Sequence, residues 1–194
     1  RIFPSYPEAY NNLGTLILKK KEYEKAEETL KLAISLRPHY GKAHFNLGRV
    51  YLEQKENEKA WNEFVLATKG DLDTSEGFFA LGQIGIQLKR YDEAINAFKN
   101  AAQRGNMTPQ LEFCLANAYY LAGSLDDAEG IYRSLNRRFP KDGRFIYNLA
   151  ETLYTKNEFE KAVPHFKAAG KLGSEFPTAF TRIANCVERI EGKE

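Results

Sequence analysis

Cysteine is almost missing from this chain: Cys114 and Cys186 are the only two in 194 residues. That excludes a small disulfide-stapled scaffold, and without a CxxC pair there is no zinc ribbon and no dithiol redox motif. Histidine is equally scarce. His39, His44 and His165 are scattered along the chain, and no metal-ligand set is read from them. Glycine-rich phosphate loops and nucleophile elbows are absent too. The acidic residues are numerous but fall on solvent positions of helices, so no carboxylate dyad is indicated. No catalytic constellation, no metal set and no cofactor motif can therefore be read. The chain is read as non-catalytic.

Charge of one sign is also lacking. With 28 Lys and Arg against 26 Asp and Glu, the net charge is +2. Binding driven by a polyanion, whether nucleic acid or an acidic membrane surface, is not expected. Lys19-Lys20-Lys21 is the one basic run, and no second cluster continues it, so it reads as a solvated corner. No apolar stretch approaches the roughly 18 residues that a membrane span needs. No signal-peptide pattern is found, although the first residue is Arg1 rather than Met. Hydrophobic residues make up 43% of the chain, enough for a core and too many for wholesale disorder.

What the chain has is a period. Stepping 34 residues from Leu13 gives Leu47, Leu81, Leu115, Leu149 and Ile183. From Gly14 the same step gives Gly48, Gly82, Ala116, Ala150 and Ala184. Ala26 leads to Ala60, Ala94, Ala128 and Ala162, and Leu30 to Phe64, Phe98, Tyr132 and Phe166. With Pro7 as position 1, positions 4, 7, 8 and 11 share one face of a first helix. Positions 17, 20, 24 and 27 do the same on a second helix. Gly or Ala at 8 and Ala at 20 let the two helices approach, and the large residues at 7 and 24 fill the space beside that contact. One such pair cannot bury its apolar face alone, whereas stacking pairs can. The repeats fall at 7–40, 41–74, 75–108, 109–142 and 143–176, with a half-repeat or capping helix at 177–194.

This order of large and small residues, on a 34-residue step, resembles the tetratricopeptide repeat family. The resemblance covers nearly the whole chain. It implies an all-α fold: eleven antiparallel helices over 7–191, stacked as one right-handed α-solenoid spanning 1–194. Pro4 stands one period before Pro38, so residues 1–6 read as the tail of a preceding repeat in a longer array or processed product. A short N-terminal arm is the alternative. Cys114 and Cys186 lie about two repeats apart and are expected to be free thiols, which slightly favours a reducing compartment. A secreted or periplasmic location stays open.

Several local expectations follow. Trp61 at position 21 is read as packing between helices. Gly85 at position 11 leaves a gap, which either a neighbouring side chain fills or which makes repeat three the soft point. Glu112 at position 4 is expected to tilt out to solvent, because a buried carboxylate is costly.

In the family, positions 2, 5, 9, 12 and 13 of the first helices line a concave surface, with 6 at its border. Position 5 carries four aromatics in succession, Phe45, Phe79, Phe113 and Tyr147. Position 6 carries Asn12, Asn46 and Asn148, a partial asparagine ladder interrupted at Ala80 and Cys114. Position 9 carries Arg49, Gln83, Asn117 and Glu151, and position 12 adds Tyr120 and Tyr154. Amides offer donor and acceptor together, and aromatics offer apolar area at little entropic cost. The resemblance thus implies a groove for an extended or helical segment of another protein. Each of these residues also has a local packing reading. The carboxylate clamp of chaperone-binding members is not matched at Asn11/Thr15 or Phe45/Arg49, so an acidic chaperone tail is not the expected ligand. Two functions stay open: a protein-interaction scaffold, or the recognition arm of a larger enzyme or secretion or assembly machine. Self-association is compatible with either.

Overall fold

In a computed structural model the described residues are 6–72, 74–172 and 177–192. The readings on residues 1–5 and on Lys193 and Glu194 lie outside them. Among the described residues the regular structure is eleven helices and no strand. They are α1 (Pro7–Lys19), α2 (Tyr23–Leu36), α3 (Gly41–Glu53), α4 (Asn57–Lys69), α5 (Ser75–Gln87), α6 (Tyr91–Arg104), α7 (Pro109–Leu121), α8 (Leu125–Arg138), α9 (Gly143–Thr155), α10 (Phe159–Leu172) and α11 (Ala179–Glu191). None is long and apolar enough to cross a membrane.

The helices start and stop for local reasons. Pro7 and Pro109 sit in the first turns of α1 and α7, where a missing N–H costs nothing. Thr108 Oγ1 accepts from Leu111 N–H at 3.2 Å, and Asp142 Oδ1 from Arg144 N–H at 3.0 Å. The turn inside each repeat is closed the same way five times. Lys21, Lys55, Lys89, Gly123 and Asn157 all adopt positive φ, between 60° and 82°. The N–H of the following residue reaches back to the position-11 carbonyl, as from Glu56 to Tyr51 and from Arg90 to Gly85, both at 2.8 Å. This is a Schellman closure, and three of its five left-handed residues are lysines.

Contacts divide the chain into two compact units, Arg1–Met107 and Thr108–Glu194. In the first, α1 packs on α2, α3 on α4 and α5 on α6, with α2 on α3 and α4 on α5 joining the pairs. In the second, α7 packs on α8 and α9 on α10, while α8 meets α9 and α10 meets α11. This is the architecture of a helical solenoid, repeated within each unit.

The small residues at position 8 explain the close pairing. A Cβ on Gly14 would lie 2.6 Å from Leu30 Cγ, one on Gly48 2.8 Å from the Phe64 ring, and one on Gly82 2.5 Å from the Phe98 ring. Leu30, Phe64, Phe98, Tyr132 and Phe166 are accordingly buried to 1% exposure or less.

The gap at Gly85 is filled. The Trp61 ring lies 3.1 Å from where a Cβ would stand, and Arg90 covers Trp61 with its guanidinium 4.8 Å from the ring centre. Trp61 therefore packs between helices, as its position suggests. Glu112 departs from expectation. It does not tilt out to solvent; its side chain is only 15% exposed and both carboxylate oxygens accept from Arg138 Nη1, at 2.9 and 2.6 Å. Pairing across to α8 offsets a desolvation that a lone carboxylate could not tolerate.

Candidate functional site

The aromatics at position 5 are the first element of the candidate surface. Each is half-buried against the position-24 ring of its own repeat. Phe45 lies 5.4 Å from Phe64 and Phe79 5.7 Å from Phe98. Phe113 lies 6.0 Å from Tyr132, and Tyr147 5.6 Å from Phe166. One face of each ring thus completes the core of its repeat, and only the remainder is open to a ligand.

In the first unit Asn12, Arg49 and Gln83 are exposed, while Phe45, Asn46 and Phe79 are half-buried. Asn46 Nδ2 donates to Asn11 Oδ1 at 2.8 Å, joining α3 to α1. Asn11 itself is 6% exposed and was not among the residues that the spacing singled out. Beside Arg49, a depression of about 210 Å³ is bordered by Leu18, Lys19, Lys21, Tyr23 and Glu53.

In the second unit Phe113, Asn117, Tyr120, Tyr147, Asn148 and Tyr154 are half-buried. Asn148 Nδ2 is committed to the Arg144 carbonyl at 2.8 Å, and Tyr120 Oη pairs with Thr155 Oγ1 at 3.1 Å. Glu151 is not a free groove carboxylate: it is 9% exposed and holds a network. It accepts from Tyr147 Oη at 2.7 Å and from Arg182 Nε at 2.8 Å, while Tyr147 Oη also meets Thr178 Oγ1 at 2.6 Å. The Arg182 guanidinium stacks 4.6 Å over the Tyr154 ring. Tyr147, Thr178, Thr181, Arg182 and Asn185 line a hollow of about 180 Å³. Burial lifts the Tyr147 hydroxyl above its usual range, with Thr178 opposing and Glu151 adding to the effect. Burial alone would lower Arg182; the bond to Glu151 reverses that and raises it.

These groups present ring faces, amides and hydroxyls. Among the described residues no group of three His, Cys, Asp or Glu side chains is placed to hold a metal. Cys114 and Cys186 are both free thiols. Burial pushes both thiols up, away from the thiolate form a nucleophile needs. The links missed by sequence reasoning, Asn46 to Asn11 and Arg182 to Glu151, join neighbouring repeats at separations of 35 and 31 residues. Stepping by the 34-residue period passes over such pairs, so the sequence carries no signal for them.

Two family models described as Tetratricopeptide repeat match the chain, over residues 7–40 and 86–145. No curated protein matches it by sequence. Among solved structures, YrrB, described as a TPR protein with an unusual peptide-binding site, is 21% identical with a TM-score of 0.82, over 89% of either chain. A MamA protein is 19% identical with a TM-score of 0.77, over 89% of this chain and 94% of its own. PilF of Pseudomonas aeruginosa is 20% identical with a TM-score of 0.68, over 96% of this chain and 85% of its own. At these identities the likeness is one of fold.

Proposed function

The chain is a tetratricopeptide-repeat protein, and from that premise we propose that it is a non-catalytic interaction scaffold whose first-helix groove binds an extended or helical segment of another protein. The single array over 1–194 is part of this proposal. The observation that carries the reading is the set of half-exposed rings, Phe45 and Phe79 in the first unit and Phe113 and Tyr147 in the second, each packed on a ring behind it. A ring already fixed in place loses little entropy when a ligand covers its open face. Exposed Asn12, Arg49 and Gln83 and half-buried Asn117 then supply hydrogen bonds along the same helices. YrrB, the fold relative described as having a peptide-binding site, gives the reading a precedent.

The ionic groups temper the role of charge. Arg182 is paired with Glu151, Arg144 with Asp142 and Glu8 with Arg37. Binding should therefore depend only moderately on salt. The test is to select peptides from a displayed random library, synthesise the best one, and measure its affinity by calorimetry. Arg49→Ala, Gln83→Ala and Asn117→Ala should each weaken it, with the strongest effect on the order of 1–3 kcal/mol. If all three variants bind as the parent does, recognition lies elsewhere, and the even-numbered helices become the place to look.

A further inference from the structure

The cations on the first helices of the two units are used differently. In the second unit Arg144 is held by Asp142 at 2.7 Å and Arg182 by Glu151 at 2.8 Å, so the charge is neutralised from within. In the first unit Arg49, Lys19 and Lys21 make no ion pair among the described residues, and all three are exposed. They border one hollow of about 210 Å³ with Leu18, Tyr23 and Glu53. Leu18 is 7% exposed and Tyr23 half-buried, so the hollow has an apolar floor under a cationic rim. Glu53 is the one carboxylate there, and its Oε2 lies 3.5 Å from Tyr23 Oη. The carbonyls that end α1 are already engaged: Leu16, Ile17 and Leu18 accept from the N–H groups of Lys20, Lys21 and Glu22. The rim does not recur. One period further on, the places of Lys19, Arg49 and Glu53 hold Glu53, Gln83 and Gln87, and in the second unit Leu121, Glu151 and Thr155.

We propose that this hollow is a specificity subsite of the groove, and that it takes a glutamate side chain of the bound segment. The inference rests on the groove reading above and names what that groove selects. The carboxylate sits between Arg49 and Lys19, and the methylenes lie over Leu18 and the Tyr23 ring. A guanidinium offers a carboxylate two parallel N–H bonds, while the lysine follows it on a flexible stem. An anionic side chain in a protein segment is a carboxylate, and the apolar floor favours the longer glutamate over aspartate. Because only one such rim exists along these helices, the glutamate fixes the register of the segment. Rings and amides elsewhere in the groove then contribute contact area without reading charge.

The probe is a random peptide library fused at its C-terminus to a display carrier, so that side chains are presented and no terminal carboxylate is. Selection on the full chain should enrich glutamate at one position. Selection on the Lys19→Ala/Arg49→Ala variant should still recover peptides, without that glutamate. Both residues are exposed, so helicity by circular dichroism should match the parent; Lys21 is left in place because it closes the turn at φ 61°. In an amidated synthetic peptide from the first selection, Glu→Gln should weaken binding to the parent about fivefold to tenfold, and to the double variant less than about twofold. Raising salt from about 0.05 to 0.5 M should weaken the glutamate peptide and leave the glutamine peptide nearly unchanged. Peptides selected without a recurring glutamate, or a Glu→Gln effect equal on both proteins, would overturn the subsite and leave the groove reading standing. Recovery of no peptide from either protein would overturn both. If a free C-terminus restores the affinity of the glutamine peptide, the hollow reads chain ends and the proposal also fails.

Discussion

The ring of Phe79 stands 5.7 Å from the ring of Phe98, tilted 57° to it, and Phe98 in turn lies where Gly82 leaves no side chain. Three residues from two helices thus form one packing unit, and only Phe79 keeps a face toward solvent. A residue in this position serves the fold and a ligand together. Phe79→Ala should therefore lower stability as well as affinity. The expected loss in urea unfolding is about 2 kcal/mol, below that of a fully buried Phe. Phe79→Leu should retain most of the stability. An alanine variant as stable as the parent would show that the pairing contributes little.

His44 gives the fold a pH dependence. It is 5% exposed, with Nδ1 2.7 Å from Glu63 Oε2 and Nε2 2.9 Å from the Pro38 carbonyl. Both partners carry acceptor oxygens, so the imidazolium, with two N–H donors, satisfies both at once, whereas a neutral ring leaves one of them unpaired. Burial opposes the charge, but the bonds to Glu63 and Pro38 outweigh it and raise the pKa above its ordinary value of about 6.5. The stabilisation is then fully present below about pH 6.5 and is lost as pH rises through the folded-state value. The stability difference between parent and His44→Gln should shrink with rising pH in that window. A difference that stays constant or grows would assign the pair a different protonation.

Tyr132 stands where three other repeats carry Phe. Its ring is fully buried and its hydroxyl meets no hydrogen-bond partner. Burial drives its pKa far above the ordinary tyrosine range. A hydroxyl stripped of water without compensation is a net cost. Tyr132→Phe should stabilise the protein by about 1 kcal/mol, read as a rise in the urea midpoint. A fall would reveal a bond that the hydroxyl makes.

The left-handed lysines should respond to glycine. Lys89 has φ 60° and Gly123 occupies the equivalent turn at φ 82°. A residue with a Cβ pays roughly 1 kcal/mol in that region, which glycine avoids. Lys89→Gly should raise the unfolding midpoint, and Gly123→Ala should lower it by a comparable amount. Equal and opposite shifts would confirm that the turn conformation, rather than the lysine charge, sets the effect.

The sequence by itself determined the helical repeat. Spacing places Leu47, Gly48, Ala60 and Phe64 where they must meet, because a 3.6-residue helix offers a single apolar stripe and small residues mark where two stripes cross. The cap at Thr108 follows from local rules, and the free thiols from the two repeats that separate Cys114 and Cys186. Tertiary structure alone decided which polar groups remain available. Glu112, read as solvent-facing, is clamped by Arg138; Glu151, read as a groove charge, is sealed by Tyr147 and Arg182; Asn46 is spent on Asn11. The periodicity names the face on which a residue stands, but a hydrogen bond depends on rotamers and on side chains that the partner helix or the next repeat brings near. The filling of Gly85 by Trp61 is settled the same way, by a side chain from another repeat. Burial along a helix is written in local spacing, whereas the pairing of long polar side chains is fixed only when the helices themselves are in contact.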